Sequence, residues 1–118
     1  MIIRKFDINV NNNTASSTQK IVLYKGDSGL HLDILLKNFN FRINAVERVD
    51  ASIINESNNE IVTLKNLTLG GSIKLQIGNG GLELNAPGEY KVQLHLFDAY
   101  NDRISTPAFE IEVRDTIY

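Results

Sequence analysis

Cysteine and tryptophan are absent from this 118-residue chain, methionine occurs once and proline twice. Without cysteine there is no disulfide, no thiolate nucleophile and no cysteine-bound zinc, so the apolar core alone must hold the fold. The same absence leaves the redox compartment open. Charge of one sign is also lacking: 12 basic and 14 acidic residues give a formal net charge of -2. They are scattered, which leaves no positive stripe for a nucleic-acid backbone or an anionic membrane. Apolar runs reach only a few residues, against roughly 18 or more for a spanning helix. Arg4, Lys5 and Asp7 interrupt the first apolar residues before a secretion-signal core of about 7–15 residues could form. These absences predict a soluble chain made in a cytoplasm, with neither nucleic acid nor membrane as partner.

What is present is the composition of a packed globule, with 42% hydrophobic and 22% charged residues. The length predicts one domain over 1–118. Alternation with period two runs through most of the chain, placing successive side chains on opposite faces of a sheet. Phe6, Ile8 and Val10 alternate with Asp7 and Asn9, before a polar loop over Asn11–Ser17. Lys20–Tyr24 reads as a strand, Lys25–Gly29 as a tight turn, and Leu30–Leu36 as a strand with one wet side. Parity breaks near Lys37 and Asn38, because Phe39, Phe41 and Ile43 fall on odd positions. Val49, Ala51 and Ile53 are joined to Ile61–Leu67 by the polar Asn55–Asn59, which predicts a hairpin. Ile73, Leu75 and Ile77 make another strand, closed by Gly78, Asn79, Gly80 and Gly81. Pro87 and Gly88 launch the strongest pattern, Glu89–Asp98, with Tyr90, Val92, Leu94 and Leu96 on its buried face. Phe109, Ile111 and Val113 form the last strand.

No window keeps apolar residues at helical spacing with caps at both ends, and only Ile43–Val49 could hold a helical turn. The connections are too short for crossover helices. The chain therefore predicts an all-β fold: an antiparallel β-sandwich of about eight strands. Its architecture is immunoglobulin-like, without the disulfide or the buried tryptophan of that fold.

Catalytic and metal-binding patterns are missing. His31 and His95 are the only histidines, both on outward strand positions, and neither has a partner at ligand spacing. Asp98, Asn101 and Asp102 bunch in one loop but lack the spacing of a calcium site, so a solvated turn is the plainer reading. The glycine clusters form no phosphate-binding loop and precede no helix. Glu110 and Glu112 share one strand face, where nothing desolvates them. Ser28 has no acid and base at triad spacing. The expectation is no enzyme, no cofactor and no metal. Aromatic residues carry the remaining signal, since rings at a surface mark contacts with a neighbouring protein. Phe97 lies on the polar face of the strongest strand, two residues from His95. Phe97, His95, Phe39, Phe41 and Tyr100 are the candidate partner-contact residues.

One order of features is less generic. A short first strand precedes Ile21-Val22-Leu23-Tyr24-Lys25-Gly26-Asp27-Ser28-Gly29 and an apolar strand; Val49-Asp50-Ala51-Ser52-Ile53-Ile54 follows, then Pro87-Gly88-Glu89-Tyr90-Lys91-Val92-Gln93-Leu94 and a last hairpin. This order, over essentially the whole chain, resembles the N-terminal domain of phage baseplate upper proteins, found in siphophages of Gram-positive hosts and their prophages. The resemblance implies a structural part of the virion tail, synthesised in the bacterial cytoplasm, that anchors a host-recognition arm to the tail-tip hub by protein-protein packing. Its implied partners are other baseplate proteins: a distal tail protein at the hub, and a receptor-binding protein reached through a C-terminal part that this chain, ending at Tyr118, does not contain. That ending reads as a domain cut where a stalk begins, or as a small relative without an arm. Self-association and docking through edge strands near the termini are further expectations. The family offers no catalytic residues. The rival readings are a carbohydrate-binding module, with aromatics on one exposed face, and an adhesin-type extracellular sandwich.

Overall fold

The computed structural model of the chain describes residues 5–10, 15–17, 21–36, 46–70 and 72–117. Among the described residues there is no helix, and eleven strands follow one another: β1 (Lys5–Val10), β2 (Ala15–Ser17), β3 (Val22–Tyr24), β4 (Leu30–Leu36), β5 (Arg48–Asn55), β6 (Glu60–Leu64), β7 (Thr68–Gly70), β8 (Ser72–Ile77), β9 (Gly88–Phe97), β10 (Arg103–Ser105) and β11 (Phe109–Arg114). They make two sheets. The first has the order β2-β1-β4-β8-β7, and the second the order β3-β11-β9-β5-β6, with β10 also on β9. The sandwich expected from alternation is therefore present, and the strands added to the expected set are mostly three residues long. One of them, β2, occupies part of the polar segment read as loop, because Ala15–Ser17 turn back along Ile8–Val10. Of the segment where a helical turn is permitted, Val46 and Glu47 are irregular and Arg48 opens β5; residues 43–45 lie outside the described set.

Two pairings depart from the antiparallel pattern. β1 runs parallel to β4, and β3 parallel to β11. Parallel neighbours need a long connection, and here the sandwich itself supplies it: between β1 and β4 the chain leaves the first sheet, adds β3 to the second, and returns. Lys25–Gly29 is thus a crossing between sheets. It is tied down by Asp27, whose carboxylate accepts from the Tyr24 N–H at 3.0 Å while its own N–H donates to the Tyr24 carbonyl at 2.9 Å.

The core lies between the sheets. Leu30, Leu32 and Ile34 of β4 with Ile73, Leu75 and Ile77 of β8 form one wall; Val49, Ala51 and Ile53 of β5 with Val92, Leu94 and Leu96 of β9 form the other, and all are buried in one cluster. Each large apolar side chain so buried contributes roughly 1.5–3 kcal/mol. The outer side of β4 is drier than alternation suggests, since Asp33 is only 6% exposed. It sits in register between Asp7 of β1 and Lys74 of β8, and its Oδ1 lies 3.3 Å from His31 Nε2. Asparagines serve the turns: Asn59, Asn66, Asn79 and Asn101 all adopt left-handed backbone with φ between 51 and 65, which asparagine tolerates better than most residues.

Candidate interaction surface

β9 is the strand that builds the outer face of the second sheet. Tyr90, Val92, Leu94 and Leu96 point inward, leaving Lys91, Gln93, His95 and Phe97 on the outside. Register then brings neighbours. Arg48 of β5 and Arg103 of β10 flank Phe97; Asp50 and Ser105 flank His95. The Arg48 guanidinium carbon lies 4.0 Å from the centre of the Phe97 ring, and its Nε lies 3.5 Å from Asp50 Oδ1. That arrangement covers the ring with a cation that an aspartate holds in place. Asp50 is only 7% exposed, because the β6–β7 connection folds over it and the Asn66 N–H donates to its Oδ1 at 3.0 Å.

His95 is held on both sides. Its Nε2 lies 2.8 Å from Ser52 Oγ and its Nδ1 2.8 Å from Ser105 Oγ, so one imidazole joins β5, β9 and β10. A neutral ring satisfies both contacts, with one nitrogen accepting and the other donating. Partial burial and, less strongly, the nearby Arg103 charge push its pKa below the ordinary histidine value, with Asp50 opposing them. The site is therefore a packed, polar surface, with Phe97 half-buried beneath arginine.

Tyr100 stands apart. It lies in the turn after β9, 87% exposed, while Asp98 organises that turn by accepting from the Tyr100 and Asp102 N–H groups at 2.9 and 3.0 Å. The bunched acids of this loop thus cap their own turn. Phe39 and Phe41 lie outside the described residues. Of the five aromatic and histidine candidates, the structure brings Phe97 and His95 together and puts Tyr100 at the same end of β9.

Sequence reasoning missed the residues that the sheet delivers to this face: Arg48, Asp50, Ser52, Arg103 and Ser105. Only the register between strands distant in sequence supplies them. It also missed the rim of β6, where Ile61 is 67% and Val62 36% exposed. The signal was there, because two adjacent apolar residues in one strand cannot both face one core. Nor does the last strand form an edge: β11 lies between β3 and β9. Among the described residues no group of three or more His, Asp or Glu side chains could hold a metal ion.

No family model matches this chain, and no curated protein does. Among solved structures, the chain is similar to the N-terminal domain of phage TP901-1 ORF48, with a TM-score of 0.55 and 12% sequence identity over 96% of this chain and 99% of that one. In its fold this chain is like that phage domain from end to end.

Proposed function

We propose that the chain is a structural domain of a phage tail baseplate, anchoring a host-recognition arm to the tail-tip hub by packing against neighbouring tail proteins. The observation that carries this reading is the end-to-end likeness to the N-terminal domain of phage TP901-1 ORF48. It agrees with the order of turns and strands in the sequence. Fold alone does not specify function, so the site must be consistent as well. The outer face of the second sheet suits protein contact: an arginine-capped Phe97 beside a pinned His95, and a solvent-facing Tyr100, are the residue types that anchor interfaces. A sugar-binding platform asks for flat, uncovered rings on one face, and Phe97 is covered by Arg48.

The test is co-expression with a phage distal tail protein, followed by size-exclusion chromatography with light scattering. The chain should co-elute with that protein. Tyr100→Ser should weaken the complex roughly tenfold while leaving the melting temperature of the isolated chain in place. Elution as a free species from every tail-hub protein would overturn the reading.

A further inference from the structure

Five strands have an unpaired side among the described residues: β2 and β7 in the first sheet, and β3, β6 and β10, which pairs only with β9, in the second. Four of them are only three residues long, and shortness is one way natural sheets blunt an edge. β6 is longer, with five residues. It contains no proline, so every residue keeps its N–H, and no lysine interrupts it. Only β5 pairs with it among the described residues. In an antiparallel ladder alternate residues turn their N–H and C=O groups to opposite sides, so part of the β6 backbone faces away from β5. Exposed Ile61 and Val62 lie along that same rim.

The ends of the rim carry opposite charge. On its inner side, a cavity of about 240 Å³ at the start of β6 is lined by Glu60 and Glu83 together with Ile53, Val62, Leu82 and Tyr90. At the other end of β6 a groove of about 380 Å³ is lined by Lys65 and Lys74. A strand that is acidic at one end and basic at the other complements itself when a copy runs antiparallel. We propose that this rim is a self-association surface, on which a second copy of the chain adds its own β6 to form one continuous sheet across a two-fold axis. The axis must stand perpendicular to the sheet, because residues directly opposite then share a face. With the axis at Thr63, Val62 meets the partner's Leu64 over the cavity mouth, and Ile61 meets the stem of the partner's Lys65. In that register Glu60 and the partner's Lys65 are one residue out of direct opposition and leave opposite faces of the sheet, so their attraction acts at long range and is strongest at low salt. The proposal does not rest on the baseplate reading and needs only this chain.

Two five-residue rims make a small interface, which belongs with weak and transient contacts. Sedimentation velocity from micromolar up to about 1 mM should therefore show a monomer giving way to a dimer as concentration rises, and hydrogen exchange at β6 amides should slow with it. Ile61→Lys, at a residue already exposed, should abolish the dimer and leave the fold intact by circular dichroism. Glu60→Lys alone and Lys65→Glu alone should each weaken dimerisation by a few fold, most clearly at low salt, since each turns two attractions into repulsions. Mixing those two variants should restore it, because one copy is then basic at both ends of its rim and faces a copy that is acidic at both ends. A chain that stays monomeric at about 1 mM overturns the proposal, even if β6 proves to bind a strand from another protein. So does a dimer indifferent to all three substitutions.

Discussion

At Thr106 one hydroxyl takes the place of a backbone partner. His95 pairs with Ser105 and Val92 with Phe109, so Gln93 and Leu94 face Thr106, Pro107 and Ala108: one residue too many on the returning strand. This is a β-bulge, and Pro107 brings no N–H to it. The ladder is mended by side chains. Thr106 N–H donates to the Leu94 carbonyl at 2.9 Å, the Leu94 N–H donates to Thr106 Oγ1 at 3.2 Å, and Gln93 Nε2 donates to the Thr106 carbonyl at 3.0 Å. Thr106 is 2% exposed. Thr106→Val keeps the volume but strands the buried Leu94 N–H, which should cost about 1–3 kcal/mol. Thr106→Ser keeps the hydroxyl and loses one methyl, about 0.8 kcal/mol. Urea melts of the two variants should rank them in that order with the m-value unchanged, and the reverse order would remove the hydroxyl from this role.

His95 gives the same face a pH dependence. Its folded pKa is lowered, first by burial and then by Arg103. Below the unfolded value of about 6.5 the unfolded chain therefore takes up the proton that the folded chain resists. Stability from this residue is complete above that pH, declines as pH falls towards the folded pKa, and is level below it. Thermal midpoints from pH 7.5 down to pH 5 should fall less steeply in His95→Gln than in the parent protein. Equal slopes would mean that the ring titrates alike in both states.

At the scale of elements, the β5–β6 hairpin docks on the start of β9 with no room for a side chain between them. The Glu56 N–H donates to the Glu89 carbonyl at 2.8 Å, the Ser57 N–H to Asn55 Oδ1 at 3.0 Å, and Asn55 Nδ2 to the Pro87 carbonyl at 3.4 Å. Gly88 sits against this cluster with φ of 145, and a Cβ there would collide with Asn55 Oδ1 and the Ser57 side chain. Gly88→Ala should cost at least the 1–3 kcal/mol of a residue held in a disfavoured conformation, and chemical denaturation will measure it. Glu89→Ala, one position on and exposed, should change stability by less than about 0.5 kcal/mol.

Elements with one wet face were legible from the sequence for a simple reason. β8 and β9 alternate cleanly, and Asn55–Asn59 announce the turn between β5 and β6. The parallel pairs β1 with β4 and β3 with β11 were not legible, because alternation says which way a side chain points and nothing about which strand lies beside it. For the same reason Phe97 and His95 were visible as outward residues, while Arg48, Asp50 and Ser105 became their neighbours only through register. The β6 rim was half visible: its adjacent Ile61 and Val62 break the alternation, but only the sheet order reveals that nothing described pairs beyond them.

For the molecule as a whole, the two sheets share one core and the chain crosses between them repeatedly, so neither sheet has an apolar face of its own to fall back on. β3 belongs to the second sheet though β2 and β4 belong to the first, and β7 and β8 return to the first between β6 and β9. With no disulfide available, separating the sheets would expose both walls at once. Leu75 in the first sheet and Leu94 in the second are fully buried in the same cluster. Leu75→Ala and Leu94→Ala should each lose about 2–5 kcal/mol, and each should lower a single unfolding transition rather than split it. Native-state hydrogen exchange reads the same coupling locally. Leu75→Ala, although confined to β8, should reduce protection of the central β9 amides as much as those of β4. Protection lost in the first sheet alone would mean two separately melting halves, and the sandwich would then be held together by its connections rather than by its core.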